Sequence, residues 1–564
     1  MLSQWLQQAK SGQSVWLSDV RRDCEALPEH VAVTMQLTLT DGTRRDFSLP
    51  IPRWEGAEQR QFAAQYVTAC VFNTLSALSG REMAFYLDLR ETEVVALLGE
   101  LNDIFQVHET VRSGYGKVVN IANRLCRAFG GGTFSFAVRD RSAYVPAAQE
   151  PPRGGDLLPR LRKAVERCGR GVCCGIDIGG TDIKAAVAVD GRLVCVKEYD
   201  WNPAASPVAE GLTGPITLLV RLMACCAAGM TPALQAALDK DTGDEEMAQA
   251  VAQSASVPLD VLGISFPDVV IRDRIVGGES PKTKGMRENP AIDYETAFAE
   301  LGALAALLRP YCRDGAAIHM TNDGHIAAFT AAAELACSGG EPDFSGGVIA
   351  HALGTDFGVG YLDSDGTIPE MPVELYDFLL DLGSFPQRAL PPEDLRSTRN
   401  ENSGLPGARR YLGQAAAFRL AYDADPALLA GFIEERNGIL TIRQTPEDMR
   451  KPCLAYLMEQ AAAGNAAAQS VFRQIGRNVG QISREMRWLM QPRTDVRYLF
   501  GRFVKHPACF RLLQEGCREI VPDLRLEAAD EDLMCTPLMR QLPEHGVTVA
   551  QFGQAVGAMY YAAI

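Results

Sequence analysis

The chain contains no cysteine pair spaced C-x-C or C-x-x-C, and its seven histidines are scattered. No structural zinc site is expected from that pattern. The adjacent pairs Cys173-Cys174 and Cys225-Cys226 are poor candidates too, since neighbours in sequence rarely bind one ion. Fifteen cysteines, several on apolar stretches, read as reduced thiols of a cytoplasmic protein. No apolar run approaches the ~20 residues of a membrane span, so no membrane association is expected. The first residues, MLSQWLQQAKSGQ, lack a charged-then-apolar export pattern. Positive charge is also short: 55 Lys and Arg face 70 Asp and Glu, a net charge of −15. That argues against a broad nucleic-acid surface.

What is present is an ordinary globular composition, 47% hydrophobic and 22% charged, over 564 residues. That length holds two to four domains with substantial cores. The most informative stretch is GIDIGGTDIKAAVAVDGRLV, residues 175–194. Cys173, Cys174, Ile176 and Ile178 make a compact apolar strand. Gly179 and Gly180 make a tight turn, where glycine offers backbone geometry that other residues reach only at a cost. Ile183, Ala185, Val187 and Val189 alternate as a second strand, and Asp190-Gly191 is a hairpin turn. Such a glycine turn either only reverses the chain or presents backbone N–H groups to an anion, phosphate above all. Asp177 stands where a carboxylate holds a hydrated Mg²⁺ beside that phosphate.

A second copy lies at 347–368, GVIAHALGTDFGVGYLDSDGTI. Gly354-Thr355-Asp356 repeats Gly180-Thr181-Asp182, and Asp365-Gly366 repeats the later turn. Two copies of one unit point to a duplicated architecture. DIGGTDIKAAVAVDG resembles the first phosphate loop of the ROK (repressor, open reading frame, kinase) sugar kinases of the actin–hexokinase superfamily. Three more segments follow in the family's order: GISFPDVVIRDRIVGG at 263–278, TNDGHIAAFTAAAE at 321–334, and LGTDFGVGY at 353–361. The resemblance covers residues 170–564 and is more specific for the fold than for the reaction.

That resemblance implies ATP and Mg²⁺ as cofactors and a sugar as the small-molecule partner. Asp177, Gly179, Gly180, Thr181, Lys184, Gly354, Thr355, Gly358 and Gly501 would serve the nucleotide, with Asp177 holding Mg²⁺ through water. Asp323 would accept the hydroxyl proton and Asn322 would hydrogen-bond the sugar. A plain helix cap is the competing role for Asp323, and both can hold. The polar stretch ESPKTKGMREN at 279–289 faces the sugar in the family. Its Lys282, Lys284 and Arg287 either suit an acidic or phosphorylated substrate or belong to a solvated loop.

The sequence also departs from the family. Many members carry a cysteine-rich zinc motif after the second phosphate loop; this chain does not. Asp356 replaces a glycine and would repel a triphosphate unless a cation intervenes, with Lys184 free to neutralise either Asp356 or Asp182. PEMPVE at 369–374 replaces the family's sugar loop, leaving Glu374, or Glu370, to supply its glutamate. In the adenosine region only Gly501 matches, followed by Arg502. The small residues of the last stretch, 551–563, suit either nucleotide proximity or core packing.

Residues 1–150 show a β-hairpin (alternating Val31 to Leu39, Asp41-Gly42, then Phe47 to Ile51), a helix at 59–78 and further α/β elements. Ser113 to Lys117 hints at a phosphate turn but lacks the full spacing, and reads as a plain loop. The early hairpin and the lack of a basic recognition helix argue against DNA binding. The expectation is a two-lobed actin-like ATPase fold (α/β, ribonuclease H-like and duplicated) with an appended N-terminal α/β domain. Its segments are 1–150, a linker and helix at 151–170, a first lobe at 171–325 and a second at 326–564. The expected function is ATP-dependent phosphorylation of a sugar or sugar derivative in a cytoplasmic protein, with homodimerisation as the default. A non-catalytic ligand sensor or scaffold is the alternative, and a ROK-type transcriptional regulator the third.

Overall fold

The structure is a computed structural model and describes residues 1–110, 112–148, 154–277, 280–354, 357–384, 390–400, 404–529 and 533–564. The chain forms two compact units. One comprises Met1–Pro151, Ala352–Gly358 and Met371–Ala528; the other comprises Pro152–His351, Val359–Glu370 and Ala529–Ile564.

In the first unit the expected hairpin is β1 (Val31–Thr38) and β2 (Arg44–Ile51), with Val33 opposite Leu49 and Met35 opposite Phe47. Its alternating Val31, Val33, Met35 and Leu37 are buried, and Gly42 turns at φ +90°. β3 (Glu82–Leu87) pairs antiparallel with β1, and β4 (Ser135–Asp140) runs parallel to β3, giving the order β2-β1-β3-β4. The helix Gly56–Leu78 is buried along its C-terminal half.

Of the stretch Ser113 to Lys117, expected to be a loop, residues 113–115 are bend and turn, and Gly116 opens the helix Gly116–Leu125, whose apolar residues recur with a helical period. Lys117 is buried there and donates to the Tyr376 hydroxyl and the Asp377 carboxylate, each at 2.9 Å. Residues 1–150 are therefore built together with 371–528. The backbone N–H of Leu17 donates to the Leu380 carbonyl at 2.8 Å, and the Asn73 amide pairs with the N–H and carbonyl of Leu379. Arg21 and Glu485 form a buried ion pair. Farther along, Val496–Phe500 is a strand ending at Gly501 (φ +95°), where a Cβ would overlap the Leu353 carbonyl. Only glycine fits that corner.

The second unit holds β5 (Val172–Ile178), β6 (Asp182–Val189), β7 (Arg192–Asp200), β8 (Leu259–Phe266), the short pair β9 (Val270–Ile271) and β10 (Arg274–Ile275), and β11 (Cys312–Asn322). The main sheet has the order β11-β8-β5-β6-β7. β5, β6 and β7 are antiparallel neighbours, while β8 and β11 run parallel to β5. This is the strand order of a ribonuclease H-like lobe, the α/β class expected from the glycine turn and its flanking strands. Asp190 (φ 48°) and Gly191 (φ 77°) both take the left-handed conformation that a two-residue hairpin turn requires.

On one face of this sheet Cys174, Ile176 and Ile178 pack with Leu212, Ile216, Leu219 and Met223 of the helix Glu210–Ala228. Among the described residues this helix alone is long and apolar enough to cross a membrane, a run that the sequence reading passed over. Its apolar residues belong to the core of this unit. On the opposite face, Gly175 and Gly263 are partners across β5 and β8. A Cβ on Gly175 would overlap the Ala555 carbonyl, and one on Gly263 the Ala558 carbonyl, both in the helix Val549–Ala562. The small residues of the last helix thus serve backbone-close packing on the sheet. The helix Asp323–Cys337 joins it, with Gly557 against Thr330 and Phe329 edge-on to Tyr561.

Gly263→Ala is expected to destabilise the protein by about 1–3 kcal/mol through overpacking. Gly214→Ala, at an exposed helical site with nothing within 4 Å of its Cβ position, is expected to stabilise by up to ~1 kcal/mol. Urea unfolding of both variants checks this: midpoints moving in the same direction would refute the packing role of Gly263.

Candidate functional site

β5 carries Asp177 two residues beyond Gly175, and β8 carries Ser265 two residues beyond Gly263. Side chains two apart share a face of a sheet. Asp177 and Ser265 therefore project on the same face as the last helix, and Ser265 donates to the Asp177 carboxylate at 2.7 Å. Asp177 is also the register partner of Lys184 on β6. Lys184 bonds Asp182, two residues earlier on its own strand, at 2.6 Å. Of the two carboxylates offered to Lys184 by the sequence, the structure gives it Asp182.

The turn between β5 and β6 is held by Trp201, just past β7. The Trp201 indole donates to the Gly179 carbonyl at 3.1 Å, and its backbone N–H donates to the Thr181 carbonyl at 3.0 Å. The Gly179 N–H is used by the Asp182 carbonyl at 2.8 Å. Exposed Gly180 and Thr181 are left as the donors that the turn presents, which suits an anion. The reason for glycine differs from the sequence expectation. Neither Gly179 nor Gly180 adopts positive φ. Gly179 is small because a Cβ would crowd the Asp182 carboxylate at 2.7 Å and carbonyl at 2.8 Å. At Gly180 nothing is nearer than the Lys282 Cε, 3.7 Å from the Cβ position.

β11 ends at Asn322, and the helix Asp323–Cys337 begins at once. The cap is Asn322: its carbonyl oxygen accepts the Gly324 N–H at 2.8 Å, while its amide nitrogen donates to the Asp268 carbonyl at 3.0 Å. Asp323 is the first helical residue and accepts from the same N–H at 2.8 Å. The helix start is fixed by close backbone approaches of Gly324 to Val359 and of Gly360 to Gly324. His325 accepts from the Tyr361 N–H at 3.0 Å, and burial depresses its pKa to about 4, so it is a neutral acceptor.

The loop before that strand supplies a cation. Lys282 donates to the Pro267 carbonyl at 3.2 Å and lies beside both Gly180 and Asp323. Lys284 instead is exposed, 3.8 Å from Glu288 one helical turn on, and Arg287 is tied to the Ser280 carbonyl and Thr283 hydroxyl. Glu370 is bound by Arg272 at 2.6 Å. Gly354, Gly358, Glu374 and Gly501 lie in the first unit. There the Gly354 carbonyl accepts the Gln414 N–H at 3.0 Å, and Glu374 sits in the electrostatic surroundings of Lys117 and Tyr376. Thr355 and Asp356 lie outside the described residues.

The second unit thus brings together Asp177, Gly179, Gly180, Thr181, Lys184, Lys282, Asn322 and Asp323. Desolvation, opposed by the Ser265 hydrogen bond and reinforced by the Asp323 charge, raises the Asp177 pKa to about 6. Burial also raises Asp323, with Lys282 pulling it back and Asp268 pushing it further. Ser265 and Trp201 were not singled out from sequence. A polar residue at the tip of the strand after an apolar run was the only signal for Ser265, and nothing local marked Trp201.

No family model matches the chain, and no curated protein matches it. Solved structures do. The chain is similar to ROK-family sugar kinases. A ROK glucokinase from Streptomyces griseus, in complex with glucose and AMPPNP, is 18% identical; the match covers 69% of this chain and 98% of that one, with a TM-score of 0.35. A ROK hexokinase from Thermus thermophilus is 17% identical, covering 69% and 97%, with a TM-score of 0.37. A ROK-family transcriptional regulator, a homologue of the E. coli MLC protein, is 13% identical, covering 84% and 88%, with a TM-score of 0.41. No residue role is transferred from these likenesses.

Because the folded pKa of Asp177 lies above that of the unfolded chain, the fold prefers its protonated form. That stabilisation is complete below about pH 4 and lost as pH rises through about 6. Asp177→Asn is therefore expected to gain stability relative to the parent protein across pH 4–7, by ~1–3 kcal/mol. Paired urea titrations at several pH values check this; a difference that stays flat with pH would contradict it.

Proposed function

We propose that the protein transfers the γ-phosphoryl group of ATP to a hydroxyl of a sugar or sugar derivative, with Asp323 as the general base. The observation that carries this reading is the division of labour at the start of the helix Asp323–Cys337. Asn322 caps the helix, leaving Asp323 with one backbone hydrogen bond at the mouth of the strand ends, where α/β sites gather. Burial raises its pKa above the ordinary carboxylate value, which makes it a stronger proton acceptor. The N–H groups of Gly180 and Thr181 would receive phosphate, and Trp201 keeps the adjoining carbonyls turned to itself. The Asn322 amide gives one N–H to Asp268 and one lone pair to Gly324, so its sugar contact would use the second N–H or the remaining lone pair of its oxygen.

Among the described residues no cluster of three or more His, Cys, Asp or Glu forms a metal cage. Mg²⁺ bound through one carboxylate, water and substrate phosphates needs no cage, and the half-buried Asp177 fits that mode. Bound there, the ion would neutralise phosphate charge. A ligand-binding protein without turnover is the second reading, favoured by the fixed partners of Glu370 and the surroundings of Glu374.

Coupled ADP release with Mg²⁺-ATP, run over a panel of sugars and amino sugars, tests the kinase reading. It predicts turnover on at least one sugar, reduced ~10²–10⁴-fold in Asp323→Asn. The acid limb of kcat/KM should lie above the ordinary aspartate pKa. ATP binding without sugar-dependent turnover would support the second reading instead.

A further inference from the structure

The charge balance around the glycine turn leaves a gap that one residue fills. The Asp182 carboxylate lies 2.7 Å from the Cβ position of Gly179, Asp177 senses the charges of Asp323 and Asp182, and Asp323 senses that of Asp268. Lys184 is spent on Asp182 at 2.6 Å. Lys284 is exposed beside Glu288, and Arg287 is tied to its own loop. Lys282 alone among these cations reaches the turn, its Cε 3.7 Å from the Cβ position of Gly180, and its charge also acts on the Asp323 carboxylate. Among the described residues no carboxylate lies within ion-pair distance of it. Its hydrogen bond goes to the neutral carbonyl of Pro267 at 3.2 Å, which uses one of the three protons of an ammonium group. Ser280 to Thr283 form a short 3₁₀ turn with Lys282 inside, and Thr283 is buried and bonded to Arg287 and the Tyr294 hydroxyl, so the lysine stem rises from a fixed base.

We propose that Lys282 is a catalytic residue that contacts the phosphoryl group in transfer, bridging the glycine turn and the base Asp323. This rests on the kinase reading above. The acceptor hydroxyl oxygen forms a bond to the γ-phosphorus as the bond from that phosphorus to the β,γ-bridging oxygen breaks. The electron pair of the broken bond leaves on ADP, and the hydroxyl proton passes to the Asp323 carboxylate. Lys282 keeps its protons throughout and stabilises the negative charge on the equatorial oxygens, which is the main task of a protein in phosphoryl transfer. An anion placed among these carboxylates without Lys282 would meet mostly repulsion. In the absence of nucleotide the same ammonium offsets the desolvation of Asp323.

The test compares the full-length protein with Lys282→Met, Lys282→Arg and the surface control Lys163→Met. Lys282→Met should lower kcat ~10²-fold or more while changing the sugar KM only a few-fold, with Lys282→Arg in between and the control unchanged. A raised sugar KM at unchanged kcat would overturn the proposal and assign Lys282 to the acceptor. If the parent protein turns over no sugar, the kinase reading fails separately. Calorimetric binding then decides on Lys282: a contact to the γ-phosphate predicts ~10-fold weaker AMPPNP binding in Lys282→Met with ADP binding unchanged. Equal effects on both nucleotides, or none, would overturn it. Thermal unfolding of each variant separates these results from misfolding.

Discussion

The second unit depends on a contact that only glycine permits. Gly175 and Gly263 lie side by side on adjacent strands, and the helix Val549–Ala562 rests its backbone carbonyls directly on them. Two residues farther along the same strands, on the same face, stand Asp177 and Ser265. The face that seats the last helix is therefore also the face on which Asp177 and Ser265 point. The helix Asp323–Cys337 packs against that last helix, so Asp323 is placed by the same contact one layer removed. Chain segments more than two hundred residues apart are brought to one site by close packing of small residues.

The electrostatics follow from this placement. Strand ends at the edge of a core are partly desolvated, which raises both Asp177 and Asp323. Two carboxylates that sense each other across such a site repel, and a nearby cation relieves that repulsion. Lys184 is committed to Asp182, whereas Lys282 approaches from a separate loop and stays on a neutral carbonyl. The site thus combines buried carboxylates, an exposed glycine turn and a lysine held by a neutral carbonyl.

Much of this was legible in the sequence. The strand, glycine turn and strand at 172–189 could be read from alternation and from the Asp190-Gly191 turn, because local chemistry dictates a hairpin. Asn322-Asp323 could be placed at a strand-to-helix junction for the same reason, though which of the two capped the helix could not. What escaped was long-range. Gly179 serves a side-chain approach rather than a positive φ, and that is visible only once Asp182 is seen folding back on the turn. Trp201 and Ser265 act through partners 22 and 88 residues away. Nor can the sequence show that Leu17, Asn73 and Lys117 find their partners near 376–380.

The most direct measurement of the central claim is a crystal structure of the protein with Mg²⁺ and AMPPNP. The account predicts the γ-phosphate on the N–H groups of Gly180 and Thr181, with the Lys282 ammonium on its oxygens and Asp323 facing it across the acceptor position. A nucleotide whose γ-phosphate lies away from that turn, with Lys282 still on the Pro267 carbonyl, would contradict it.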